Sequence, residues 1–299
     1  MKVRMKLIGS LVLVLAMITV TMAGCSKKDT ITIGSKDFSE NMILGEMFAQ
    51  IIEANSDIKV NRKLNLGGTF VCFESIKNGD IDIYPEYTGT GLTAQLKMDV
   101  ISSADETYSI VSEEFNRQFD IKWLKPLGFN NTYALAVTKE VYDKYGIETY
   151  SDLAVISKEL VFGAEHEFFD RQDGYDGLVE AYDLQFKGDP KKMNVSLKYQ
   201  AIGKGDMDVT DAFATDGAIV QYELKILTDD KGFFPPYYAA PIVRNKTLEK
   251  YPELEDLLNK LSGEIDDQAM TDLNYKVDVQ GEDIAKVAKE FLQDKGLID

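Results

Sequence analysis

Residues 67–91 read GGTFVCFESIKNGDIDIYPEYTGTG. Gly67-Gly68-Thr69 opens an apolar stretch that continues in helical spacing through Ile76. A polar Asn-Gly-Asp break follows, and "IDIYP" then alternates as a strand that Pro85 is expected to stop. Upstream, "ITIGS" (31–35) and "IKVNRKL" (58–64) are β-branched runs. Between them, "SENMILGEMFAQIIEAN" has apolar residues at 43, 44, 47, 48, 51 and 52, the spacing of a helix, with Ser39 placed to cap it. Strand, helix, strand, helix, strand is the signature of a parallel sheet covered by helices. Such sheets bind ligands beyond the carboxyl ends of their strands, where Gly34-Ser35, Gly67-Gly68 and the 84–91 turn all fall.

Further along, "DETYSIVSEEFNRQF" is an amphipathic helix, "IKWLKPLG" follows it, and "NNTYALAVTKEVYDKYG" reads as strand then helix. From about residue 136 the pattern starts afresh: "ELVFGAE" strand, "GYDGLVEAYD" helix, "MNVSLKY" strand, "GDMDVTDAFATD" helix and turn, "AIVQ" strand. "KGFFPPYYAAPIVR" is a bent crossing with three prolines, and the chain from Lys246 is helical. The expectation is an α/β protein of two lobes joined by two crossings near 133–137 and 234–241, with a cleft between them as the ligand position. Residues 31–135 and 239–299 would form one lobe and 136–238 the other.

The 299 residues carry a net charge of −17. Lys2, Arg4 and Lys6 are the only charges before Cys25, so the remainder stands at −20, with 30 basic and 50 acidic residues. That surface repels nucleic-acid phosphates and anionic lipid alike. The basic start followed by "LIGSLVLVLAMITVTMAGC" reads as a signal peptide over 1–24, and Ala23-Gly24-Cys25 resembles a bacterial lipobox. Cys25 would then carry the lipid and residues 25–30 serve as tether, holding the protein to the outer face of the cytoplasmic membrane. Cys72 is left without a partner and reads as a small buried hydrophobe.

Residues for catalysis are scarce. One histidine, His166, cannot build a zinc site, and neither a nucleophile elbow nor a phosphate-binding loop is present, so no cofactor and no metal are expected. "DRQDGYDG" lacks the ligand spacing of a calcium loop, and Glu165 and Glu167 read as ordinary surface acids. Aromatic residues gather instead at turns and crossings: Tyr84 and Tyr87, Tyr133, Phe213, Tyr237 and Tyr238. Ordinary core packing is the competing reading for each. A ring of π-faces has one distinctive use, the capture of quaternary ammonium groups, which cannot donate hydrogen bonds.

"IGSKDFSEN", "GGTFVCFESIKNGDIDIYPEYTGTGL", "NNTYALAV", "DAFATDG" and "FPPYYAAP" together resemble the glycine betaine/carnitine/choline-binding proteins of osmoprotectant ABC transporters, in order and over the whole chain after Cys25. The resemblance implies a two-lobed type II periplasmic-binding-protein fold with a hinge, a quaternary ammonium ligand, a lipid anchor, and permease and ATPase partners. Carried over by position, the cage would be Tyr87, Tyr133, Phe213 and Tyr237, with Phe213 standing where relatives usually have Tyr. Thr90, Asn131 and Ser35 match positions that meet the ligand's tail. Relatives restricted to choline have an acid at the position of Thr90, so Thr90 points to betaine, carnitine or a broad range. Gly89 and Gly91 would let the turn approach the ligand, and Tyr84 would pack beneath. Two rivals remain. An enzyme on the same fold would need Cys72 as nucleophile. A binding protein for an amino acid would need a buried arginine clamp, and none of the arginines lies in the aromatic motifs.

Overall fold

The computed structural model describes residues 30–299; Cys25 and the segment before it lie outside the described residues. Two five-stranded sheets organise the chain. The first has strands β1 (Thr30–Gly34), β2 (Lys59–Lys63), β3 (Ile83–Tyr87), β4 (Ile121–Trp123) and β10 (Ala239–Arg244), in the order β2-β1-β3-β10-β4. The second has β5 (Tyr133–Val137), β6 (Phe162–Glu165), β7 (Lys191–Met193), β8 (Val209–Phe213) and β9 (Lys225–Ile226), in the order β7-β6-β8-β5-β9.

The parallel pairs expected from the βαβ pattern are present, β1 with β3 and β6 with both β7 and β8. One strand in each sheet departs from it. β10 runs antiparallel between β3 and β4, and β5 antiparallel between β8 and β9. These are the first strands formed after the chain has passed from one sheet to the other, so neither enters through a βαβ crossover, the connection that makes neighbours parallel. An isolated bridge between Asn130 and Tyr238 ties the two crossings together.

The helices in chain order are α1 (Ser39–Asn55), α2 (Thr69–Asn78), α3 (Ala104–Phe119), α4 (Lys139–Tyr145), α5 (Tyr150–Ile156), α6 (His166–Asp170), α7 (Tyr175–Tyr182), α8 (Val195–Gly203), α9 (Ala218–Gln221), α10 (Asn245–Lys250), α11 (Glu253–Asn259), α12 (Asp267–Asp278) and α13 (Ile284–Asp294). α1 is buried along most of its length, because the C-terminal helices α11 to α13 cover the side turned away from the sheet. Ser39 does not cap it. Phe38 occupies the N-cap position, and the Ser39 hydroxyl donates to Asp278 on α12.

Several local readings are corrected. Pro85 does not end β3, which continues to Tyr87. Its partner across the pair is Pro241. Two residues without an N–H face each other at a position of the ladder that needs none, while the Pro85 carbonyl accepts from Asn41 Nδ2 at 2.9 Å on the other side. "MNVSLKY" is a strand only to Met193 and then becomes α8. "VTDAF" is β8, a central strand buried at all five residues, so it shows no alternation. "AIVQ" is the short helix α9, with Val220 exposed.

Gly89 and Gly91 are required for close approach, but to protein. A Cβ on Gly89 would meet the Tyr237 ring at 2.7 Å, and one on Gly91 would meet Trp123 at 2.8 Å. The helical turn Thr88–Thr90 and the π-helical turn Gly91–Gln95 thereby press onto the second crossing and onto β4. No helix among the described residues is long and apolar enough to cross a membrane.

Candidate functional site

Tyr133 opens β5 and Phe213 closes β8, and the antiparallel register sets them directly opposite each other, with ring centroids 4.7 Å apart. Tyr87 closes β3 in the other sheet. Tyr237 lies on the second crossing, where its N–H donates to Asn130 Oδ1 at 2.7 Å and its carbonyl accepts from the Asn131 N–H at 3.1 Å. Its ring stands edge-on to Tyr133 at 5.7 Å. The four aromatic residues singled out from the sequence, with Thr90 and Asn131, line one small cavity of about 40 Å³. That is room for a few water-sized groups, so the walls already stand close.

Ser35 is not among them. It is fully buried, donates to the Lys36 carbonyl and accepts from the Asn65 N–H, so its hydroxyl is committed to the loop. Tyr84 packs beneath, its hydroxyl donating to Glu86 at 2.8 Å. Tyr238 holds the turn through its backbone, the N–H donating to Thr88 Oγ1.

Eight lining residues were not singled out from the sequence as ligand contacts: Lys36, Asp37, Phe38, Gly68, Thr69, Glu165, Glu167 and Arg171. Phe38 is a fifth ring, stacked between Tyr87 (6.2 Å) and Phe213 (5.7 Å). Glu165 and Glu167 are not surface acids. Glu165 is buried and accepts the Tyr133 hydroxyl at 2.7 Å. Arg171 comes from the "DRQDG" loop and is buried in the site. It forms a two-pronged pair with Asp173, Nε to Oδ1 at 2.9 Å and Nη2 to Oδ2 at 2.6 Å. Asp173 also accepts from Thr93 and from the Tyr237 hydroxyl. Arg171 Nη1 alone is turned to the cavity residues, with long contacts to Thr90 Oγ1 at 3.4 Å and Glu167 at 3.5 Å.

Every cation near the rings is matched by a buried carboxylate. Lys36 lies 5.1 Å over Tyr87 and pairs with Glu86, Arg171 lies 5.3 Å over Tyr133 and pairs with Asp173, and Lys198 lies 4.8 Å over Phe213 and pairs with Asp211. With those charges neutralised, the cavity keeps the acids Asp37 and Glu167, with Glu165 beside them, and five aromatic rings. A diffuse cation is the solute such a surface favours.

Behind Tyr87 sits Glu40, fully buried, accepting from four separate segments: the Tyr87 hydroxyl (2.8 Å), Asn131 Nδ2 (2.7 Å), the Thr215 hydroxyl (2.5 Å) and Asn274 Nδ2 (2.9 Å). Burial, aided by the charge of Asp216, pushes its carboxyl up to about 7 against the pull of those donors. Glu165 is raised as well, by burial first and then by Asp211 and Glu167, with Lys198 opposing. A carboxyl whose pKa is higher folded than unfolded contributes stability that is fully present below the unfolded value and lost as pH rises through the folded one. For Glu40 that window runs from about 4.5 to about 7. The thermal midpoint is therefore expected to fall by several degrees between pH 5.5 and pH 8.5, and the fall to shrink in Glu40→Gln. A midpoint flat over this range would contradict the assignment.

Cys72 is buried, and burial pushes its thiol up to about 12, so a thiolate nucleophile there is disfavoured at neutral pH. His166 opens α6 on the exposed side of the cleft. No cluster of metal-ligating side chains occurs among the described residues.

Residues 29–294 match the family described as the substrate binding domain of ABC-type glycine betaine transport systems. The chain is 39% identical over 268 residues to the ergothioneine transport permease/ergothioneine binding protein EgtU of Helicobacter pylori, spanning 89% of this chain and 48% of that longer protein. It is 38% identical over 272 residues to the carnitine transport binding protein OpuCC of Listeria monocytogenes, covering 90% of this chain and 88% of the relative. A crystal structure of a glycine betaine/carnitine/choline ABC transporter protein superposes with a TM-score of 0.74 at 38% identity, over 90% of this chain and all of that one.

Proposed function

We propose, for a chain that belongs to the substrate-binding domains of ABC-type glycine betaine transport systems, that it captures a quaternary ammonium solute outside the cytoplasmic membrane and hands it to a permease driven by an ATPase. The observation that carries this is the group of rings, Phe38, Tyr87, Tyr133, Phe213 and Tyr237, gathered from both sheets and a crossing around one cavity. The cationic head would be desolvated among the rings. Arg171 Nη1 and Thr90 Oγ1 are the groups placed for a carboxylate tail. Asn131 is less suited to the tail than its position suggested, because its amide donates to Glu40.

The amino-acid reading gains a buried arginine that the sequence motifs had hidden. Yet two of the three guanidinium nitrogens are engaged by Asp173, which leaves one donor atom rather than a fork for the ligand. A second quaternary ammonium reading has its own support. Ergothioneine is a trimethylammonium betaine that also carries ring N–H donors, and Glu165 and Glu167 supply acceptors on the cavity wall. The lipid anchor on Cys25 and the location on the outer membrane face go with this function, and mass spectrometry of the detergent-extracted N-terminal peptide tests them.

The direct experiment is a thermal shift panel of glycine betaine, carnitine, choline, ergothioneine and common amino acids. At a hundred times Kd, a ligand bound only by the folded protein adds about 2.7 kcal/mol. One or more quaternary amines should raise the midpoint by several degrees while the amino acids do not. Silence from all four amines would defeat the reading.

A further inference from the structure

Glu167 belongs to α6, which follows the second sheet's β6, yet its Oε2 accepts the N–H of Thr69 at 2.8 Å, the first residue of α2 in the other half of the molecule. α2 has no cap of its own. Gly68 stands at the N-cap with no side chain, so the amides of the first turn lack an intrahelical acceptor. A carboxylate there also meets the positive end of the helix dipole. The fit leaves no slack: a Cβ on Gly68 would lie 2.1 Å from Glu167 Oε2. The contact is backed from beneath by a polar chain. The Thr69 hydroxyl accepts from Lys36 Nζ at 2.9 Å, and Lys36 pairs at 2.6 Å with Glu86, beside the cage residue Tyr87.

Its place matters as much as its geometry. Gly68 and Glu167 line the ring cavity, and they also line an outer cleft of about 540 Å³ on the far side, together with Asp37 and Glu165. With Asp37 and Glu165, which also line both, they stand between the cage and the open groove. A ligand leaving by this groove passes between Gly68 on one sheet's side and Glu167 on the other's.

We propose that Glu167 is the gate of the cage: by capping α2 across the cleft it closes the passage to the outer groove and sets how long the ligand stays. The proposal rests on the capture function above. The open form lacks the contact, so entry is little affected, whereas release must first break it. Burial opposes the charge on Glu167, but Arg171, Lys36 and the Thr69 donors outweigh burial and hold the carboxyl below its usual range, so the cap is ionised at neutral pH.

Stopped-flow binding of glycine betaine, carnitine, choline and ergothioneine to wild type, Glu167→Ala, Gly68→Ala and the double variant tests it. For the ligands that bind wild type, Glu167→Ala should raise the dissociation rate about tenfold and change the association rate less than threefold. Gly68→Ala leaves the carboxylate in the chain but its Cβ displaces it from the seat, so it should do the same, and the double variant should be no worse than either single one. Additive effects, an unchanged dissociation rate, or a loss carried by the association rate would overturn the gate. A wild type that binds none of the four overturns the capture function itself, which separates the two failures. Circular dichroism of each variant secures the comparison, and if Glu167→Ala misfolds, Gly68→Ala carries the test alone.

Discussion

Arg171→Ala is expected to destabilise the protein by about 3–5 kcal/mol, the usual cost of removing one partner of a buried ion pair. The Arg171 and Asp173 side chains are each 1% exposed, so the carboxylate left behind cannot be rehydrated in place. It keeps the Thr93 and Tyr237 hydroxyls, two neutral donors in exchange for a guanidinium fork. Asp173 is held below its usual carboxyl range against the cost of burial, chiefly by Arg171. Without the arginine the acid should fold protonated, and the Tyr237 hydroxyl would then face an O–H donor as well as an acceptor. Pairing Arg171→Leu with Asp173→Asn separates stability from binding. Removing both charges should recover most of the urea-unfolding free energy, since a buried pair is often no better than an apolar one. Affinity should stay at least tenfold down if Nη1 holds the ligand's carboxylate. Recovery of both together would show that Arg171 only supports Tyr237.

That arginine marks the limit of what the sequence carries. Tyr87, Tyr133, Phe213 and Tyr237 stand out because each lies at a strand end or on a crossing, and the family resemblance chose them over Tyr84 and Tyr238 and added Thr90. Arg171 and Asp173 lie in DRQDGYDG, whose charge density is that of a solvated loop, and only tertiary packing of that loop against the Thr88–Gln95 turns buries them. Glu165 closes the short strand β6 and Glu167 follows it on α6, and the strand's apolar residues gave no hint that its acidic end turns inward. The strand errors share one cause. β8 is buried on both faces and lacks alternation, while "AIVQ" is too short for its period to show whether it is helix or strand. Pro85 misled for the opposite reason: its rule is sound, but Pro241 opposite removes the conflict.

Tyr87→Ala should abolish measurable binding, whereas Tyr87→Phe should keep it within about tenfold of wild type. The ring supplies the π-face, worth roughly 0.5–2 kcal/mol to a desolvated cation. Removing it also leaves a void beside Phe38, the middle ring of the stack, so a second wall loses its support. Truncating a buried aromatic side chain costs about 3–5 kcal/mol of stability besides. Phenylalanine preserves the face and the Phe38 contact and gives up only the hydroxyl. Glu40 then keeps three of its four donors, and Asn41 loses a contact that is already long at 3.4 Å. The stability loss should accordingly be about 1–3 kcal/mol, that of an unsatisfied buried partner. At 213 a phenylalanine already serves as a wall of the cavity, its ring lying 4.8 Å from Lys198 Nζ. If Tyr87→Phe loses binding as completely as Tyr87→Ala, the hydroxyl and the Glu40 node govern recognition, and the π-face is not what holds the ligand. If Tyr87→Ala still binds at wild-type strength, Tyr87 is no wall of the cage.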